Sequence, residues 1–193
     1  MNMKKYFRNG LQRIIAAGIL YAMPLAAAET RFKELEEQLV RHEGYKERMY
    51  FDSRGIPTIG IGFNLRREDA RRKLKELGAD YENVLQGKQA LKREQIYYLL
   101  REDIKNSELS ARRILKNYDS QPHEVRDIVL DMIFNLGETR FSKFKKTIAA
   151  IDAFDYKTAA NEMQNSLWYN QVGNRGKYLV EEMRKVKYRE KHK

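Results

Sequence analysis

The stretch from Glu43 to Phe63, EGYKERMYFDSRGIPTIGIGF, constrains this chain more than any other. Tyr50-Phe51 and Thr58-Ile59 have β-forming side chains, and Ser53-Arg54-Gly55 between them can reverse the chain. The segment reads as a helix end at Glu43, a short hairpin, and then a glycine-spaced strand through Gly60-Ile61-Gly62. Gly60 and Gly62 leave one side of that strand bare, which suits close approach of a ligand or of other backbone. One carboxylate on a helix end and a second on a hairpin can face each other across a cleft. Glycoside hydrolysis needs two such acids.

The residues around this stretch are patterned for helices. Phe32, Leu35 and Leu39 recur at i, i+3 and i+7, which predicts a helix over 32–42. Glu43 falls within about 20° of Phe32 on the helical wheel, so its side chain is aimed at the apolar face. Gly44 is a plausible stop. Residues 68–78 start acidic, turn basic and end in Gly78, as a solvated connector helix would. Residues 79–90 read as a loop, and Lys92 to Lys116 as a long helix with a charged outer face. Pro122 opens the next helix, where its missing N–H costs nothing. Val125, Ile128, Val129, Met132, Ile133 and Leu136 mark that helix as the central buried one, ended by Gly137. Three more helices are expected, over Ser142–Ala153, Tyr156–Asn165 and Asn174–Arg189, with Ser142 and Asn174 as N-caps. The fold class is therefore α+β and mostly helical.

Composition narrows the chemistry. Cysteine is absent, which excludes disulfides, thiol catalysis and thiolate metal sites. The 3 histidines, at 42, 123 and 192, form no i,i+4 pair, so a zinc site is not expected. Lys4, Lys5, Arg8 and Arg13 make a basic start, followed by the uncharged apolar run Ile14–Ala28 ending in Ala26-Ala27-Ala28. That is the pattern of an export signal over 1–28, with cleavage before Glu29. An uncleaved anchor is the second reading of the same segment. Removing it takes the charge from +11 to +7. A basic exported protein without disulfides points to a periplasmic or secreted location and a polyanionic partner. No nucleic-acid motif is present.

Glu43 and Asp52 are separated by eight residues, and Thr58 follows after five more. In a glycosidase site Glu43 would protonate the leaving oxygen, favoured by burial and by the negative end of its helix. Asp52 would stay ionised on the more open hairpin. The Thr58 hydroxyl would orient a water beside it. Taken alone, the pair is one among 27 acids, most of which belong on the surface.

The segment RHEGYKERMYFDSRGIPTIGIGFNL resembles the active-site segment of phage-type lysozymes. Two further stretches are similar to that family, Ile133-Phe134-Asn135-Leu136-Gly137-Glu138-Thr139, and Trp168-Tyr169-Asn170-Gln171 followed by Asn174-Arg175. The resemblance covers about residues 32–185. It implies a two-lobed fold in which a hairpin lobe (about 43–90) is linked by a long helix to a larger helical lobe, all within a domain of residues 29–193. It implies a cofactor-free, monomeric muramidase that cleaves the β-1,4 bond between N-acetylmuramic acid and N-acetylglucosamine in peptidoglycan. By position, Glu43 becomes the proton donor, Asp52 with Thr58 handles the water, and Arg175 pairs with Glu43. Phe134, Asn64, Thr147 and Glu162 become substrate contacts, and Gly60 and Gly62 support the site. Trp168 is expected in the core near the cleft.

The chain departs from the family's T-even member in places. Phe63 stands for a histidine, Asn64 for an apolar cleft residue, Thr147 for a serine and Glu162 for an asparagine. Two other readings compete with an exported muramidase: a phage endolysin held by an uncleaved leader, and a non-catalytic wall-binding protein on the same scaffold. A chitin-degrading relative is a weaker third.

Overall fold

The computed structural model describes residues 25–187, with side chains from Phe32 onward. The export signal expected over 1–28 lies, for residues 1–24, outside the described residues. The chain divides into two compact units, 1–38 and 39–193. A helix, α1 (Leu25–Glu43), starts upstream of the expected Phe32 and ends at the glutamate the sequence marks. Gly44 follows with φ +78° and donates its N–H to the Val40 carbonyl at 2.9 Å, which terminates the helix.

The second unit is α+β. A three-stranded antiparallel sheet is formed by β1 (Lys46–Phe51), β2 (Pro57–Gly60) and β3 (Phe63–Asn64), in that order. Tyr50 pairs with Thr58 and Phe51 with Pro57, so the expected hairpin is present, with an irregularity in the register between Lys46 and Tyr50. The reversal is at Asp52–Ile56, where Gly55 takes φ +71° and donates to the Asp52 carbonyl at 2.9 Å.

The predicted strand through Gly60-Ile61-Gly62 is corrected. The strand β2 ends at Gly60, where φ is +67°, and Gly62 has φ +74°, so the chain turns there into β3. What approaches the two glycines is protein. A Cβ on Gly60 would stand 3.1 Å from Ile96, and one on Gly62 would stand 3.1 Å from Glu43 Oε2.

The rest of this lobe holds α2 (Ala70–Glu76) and α3 (Tyr81–Leu85). The helix α2 is not wholly solvated, because Ala70, Lys73 and Leu74 are buried. The stretch 79–90 is not all loop either. Asp80 caps α3 by accepting from Asn83 N at 2.8 Å, a local bond that propensity alone does not reveal. The lobe is joined to the long helix α4 (Arg93–Ile114) by a partly buried clamp. Arg67 Nη1 lies 2.7 and 2.8 Å from the two Asp103 oxygens, and its guanidinium sits 4.8 Å from the Phe63 ring centroid. Phe63 is 2% exposed, so the aromatic ring fills the space and carries a cation–π contact.

The helical lobe is built on α5 (His123–Leu136), which packs against α4 and a late helix, α10 (Asn174–Lys185). Val125, Val129 and Met132 are wholly buried, which bears out α5 as the central helix, and Gly137 ends it with φ +76°. Between them lie α6 (Glu138–Phe141), α7 (Lys145–Asp152), α8 (Tyr156–Gln164) and α9 (Leu167–Val172). Ser142 is not an N-cap. It follows α6, and its hydroxyl donates to the Thr139 carbonyl at 3.0 Å. Asn174 is the first helical residue of α10, preceded by Gly173 at the cap position. That helix ends at Lys185, and the predicted end at Arg189 lies outside the described residues. The short helix α9 does not follow from apolar spacing. Ser166 caps it by accepting from Tyr169 N. Among the described residues no helix is long and apolar enough to cross a membrane.

Candidate active site

Glu43 projects from the last residue of α1. Its side chain is 21% exposed, and its Oε1 accepts from Arg175 Nη1 at 2.5 Å. Its other oxygen lies over Gly62, where the absence of a side chain makes room for it. Arg175 sits on α10 and is 8% exposed. Burial opposes its charge, but Asp131 and then Glu43 outweigh that and hold the guanidinium's pKa above its ordinary value. The pairing of Arg175 with Glu43, expected from the resemblance, is therefore present.

Asp52 is held differently. It follows β1 and opens the turn. Its Oδ1 accepts two backbone N–H bonds, from Arg54 and Ile56, each at 2.8 Å. Its Oδ2 has the weaker contacts, from Arg54 Nη2 at 3.3 Å and Nε at 3.4 Å. The Ile56 N–H, chiefly, lowers the Asp52 pKa below the usual carboxylate value, and the Arg54 amide and guanidinium add to this. The ionised form is favoured, as the hairpin position suggested.

Thr58 lies on β2, the central strand, and is 4% exposed. Its hydroxyl donates to the Ile56 carbonyl at 2.9 Å, which leaves its lone pairs to accept. It is flanked in the sheet by Tyr50 on one side and Asn64 on the other. Tyr50 is the common neighbour of the group. Its phenol lies near the Gly62 backbone and senses the charge of both Glu43 and Asp52. Burial first, and Glu43 next, push its pKa up.

The substrate residues inferred from the resemblance fare unevenly. Phe134 is half-buried on α5, and Asn64 is half-buried on β3 with its amide oxygen accepting from Arg66 N at 2.7 Å. Thr147 is 1% exposed on α7 and has no open surface with which to meet a substrate, which corrects that expectation. Glu162 is on α8 and lies 4.0 Å from Lys146 Nζ across to α7, a partly exposed ion pair. Trp168 is core, at 4% exposed. Its Nε1 donates to Asn135 Oδ1 at 3.0 Å, and Phe144 meets it edge-on at 6.1 Å.

Sequence reading missed Asp131 and His42. Asp131 is wholly buried on α5, bonded to Arg175 Nε at 2.7 Å and to His42 Nδ1 at 2.8 Å. One signal was present, an acid inside the apolar run Ile128–Phe134. Such an acid needs buried partners. Among the described residues no group of three or more His, Asp and Glu is arranged to hold a metal ion.

Comparison with known proteins bears on the family of the chain. The sequence profile of the family described as Phage lysozyme matches residues 40–187. Two proteins of Dictyostelium discoideum, named Probable T4-type lysozyme 2 and Probable T4-type lysozyme 1, are 29% and 25% identical to this chain, each over 76% of it and 91% of their own length. The Pre-baseplate central spike protein Gp5 of Enterobacteria phage T4 is 26% identical over 73% of this chain and 26% of that larger protein. The match spans the last turn of α1, the sheet, and every helix after it among the described residues, and on that ground this chain belongs to the phage lysozyme family.

Proposed function

We propose that this protein is a muramidase, hydrolysing the β-1,4 bond from N-acetylmuramic acid to N-acetylglucosamine in peptidoglycan. The observation that most supports the reading is the pair of carboxylates around Tyr50, one gripped by a buried arginine and one by backbone amides. Two acids in unlike surroundings are what a glycosidase uses for two roles.

Glu43 is the proton donor. Its Oε1 is committed to Arg175, so Oε2 is the oxygen that gives the proton to the departing sugar oxygen. Asp52 stays ionised and accepts a proton from the attacking water. Its Oδ1 is occupied by two N–H donors, so the water is taken by Oδ2. Thr58 accepts the water's other hydrogen, since its own is spent on Ile56. With both hydrogens directed at protein, the water presents its lone pair to the sugar carbon. Attack from the face opposite the leaving group inverts the anomeric centre. Tyr50 and Phe134 border the sugar. No cofactor takes part in this scheme.

The protein is proposed to work outside the cytoplasm, as a monomer, after removal of residues 1–28. The +7 charge then remaining draws it to the anionic wall. Digestion of purified sacculi, with products identified by mass, tests the activity. Fragments with reducing N-acetylmuramic acid ends are expected. Reducing N-acetylglucosamine ends, or binding without fragments, would contradict it.

A further inference from the structure

Asp131 occupies an expensive position. It is 0% exposed, between Leu130 and Met132 on the apolar helix α5. A carboxylate there is strongly unfavourable unless both oxygens are bonded and a cation is near. Both conditions are met. Oδ1 accepts from Arg175 Nε at 2.7 Å, and Oδ2 from His42 Nδ1 at 2.8 Å. An ionised carboxylate only accepts, so the His42 proton in this pair is on Nδ1. The Asp131 carbonyl also takes Arg175 Nη2 at 3.2 Å. The guanidinium is planar and rigid, so bonding Nε and Nη2 to Asp131 fixes where Nη1 points. It points at Glu43 Oε1, 2.5 Å away.

His42 adds a second restraint on the same carboxylate. It precedes Glu43 in the last turn of α1. Its bond to Asp131 ties that turn to α5, and its ring meets Tyr178 of α10 edge-on at 5.5 Å. The backbone from which Glu43 projects and the arginine that grips Glu43 are thus both anchored on one buried acid. We propose that Asp131 and His42 are positioning residues that hold Arg175 and the end of α1 so that Glu43 presents Oε2 to the sugar. The proposal rests on the reading of Glu43 as proton donor.

A residue that only stabilises the fold would alter unfolding and leave turnover per folded molecule unchanged. A positioning residue lowers kcat at nearly constant KM, because a misplaced acid still permits binding. The test compares the parent with Asp131→Asn, Asp131→Leu, His42→Leu and Glu43→Gln on a soluble peptidoglycan fragment. The Arg175 Nε–H resonance is followed by NMR in each. Asp131→Asn keeps an acceptor for Arg175 and is expected to retain kcat within about tenfold. Asp131→Leu is expected to lose about a hundredfold in kcat with KM little changed, the scale of a displacement near 1 Å, and His42→Leu, which leaves Arg175 bonded to Asp131, about tenfold. The Nε–H resonance is expected to shift and lose exchange protection in Asp131→Leu, to shift in His42→Leu, and to hold in Glu43→Gln. Parent-like kcat in His42→Leu overturns the proposal, including where Asp131→Leu does not fold. If the parent itself shows no turnover, the proton-donor reading fails. The Arg175 resonance then decides the positioning claim, and an unchanged resonance in His42→Leu overturns it.

Discussion

The two ends of the site are built in opposite ways. At the end of α1, Glu43 is restrained by side chains that arrive from residues 131 and 175, far along the chain and buried at 0% and 8% exposure. At the hairpin turn, Asp52 is restrained by the amides of residues 54 and 56, two and four positions away, with solvent at hand. The first carboxylate depends on the assembly of the whole helical lobe. The second depends on one turn. The difference suits their roles. Under the proposed scheme, a proton donor works from an enclosed place that only tertiary structure can make, whereas a base needs only to remain ionised and within reach of water.

This contrast can be broken most severely at Glu43 itself. Glu43→Gln keeps the size and the oxygen that meets Arg175, but has no proton to donate. Turnover on peptidoglycan should fall by about 10²–10⁴-fold with the melting curve little changed. Thr58→Ala should lose less, because Asp52 can still hold a misplaced water. Assays on both variants at matched folded concentration decide the order.

The next comparison concerns stability. Arg175→Leu leaves Asp131 and Glu43 without their shared cation and should destabilise by about 3–5 kcal/mol, as breaking a buried pair does. Arg54→Ala removes the partner of Asp52, the Arg54 side chain being 59% exposed, and should leave stability almost unchanged. Denaturant unfolding of both gives the two figures. Similar losses would remove the distinction between the buried and open ends.

A finer comparison uses two glycines with nearly equal φ. A methyl group added at Gly55, in the turn, would have nothing within 4 Å, whereas one added at Gly62 would meet Glu43 Oε2 at 3.1 Å. Either alanine should cost about 1–2 kcal/mol of backbone strain. Only Gly62→Ala should also lower kcat, by displacing the carboxylate. Equal activity in the two variants would show that Gly62 does not shape the Glu43 position.

The smallest effect expected is that of pH on the turn. The folded pKa of Asp52 is depressed, chiefly by the Ile56 N–H. The stability it contributes is therefore present above the unfolded carboxyl value and is lost as pH falls through the lower folded value. The difference in unfolding free energy between parent and Asp52→Asn should shrink on acidification from roughly pH 6 to roughly pH 2. A difference that stays constant over that range would mean the turn does not favour the carboxylate.

The same asymmetry explains what could be read from the sequence. The hairpin, Asp52 and the helix end at Glu43 rest on local signals, namely β-forming pairs, a turn tripeptide and a glycine stop. The central helix α5 rests on strict apolar spacing. The Gly60–Gly62 turn is ambiguous in sequence because glycine is compatible with either a bare strand or a positive φ, and packing against Ile96 and Glu43 selects the second. The short helices α3 and α9 are held by single capping bonds that outweigh their weak intrinsic preference. Thr147 looks like a cleft residue by position, but α7 turns it inward. Asp131 and His42 stay hidden because their meaning lies in a contact between residues 89 positions apart. Arg175 is found only through resemblance to a family, for nothing local distinguishes it from other helical arginines.

The central claim is that Glu43 gives a proton while Asp52 and Thr58 direct a water at the opposite face of the sugar. Proton NMR of the nascent reducing end, recorded within the first turnovers and before mutarotation, tests it most directly. The account predicts the α-anomer from the parent and no product signal above background from Glu43→Gln. A β-anomer as the first product, or parent-like product formation by Glu43→Gln, would contradict it.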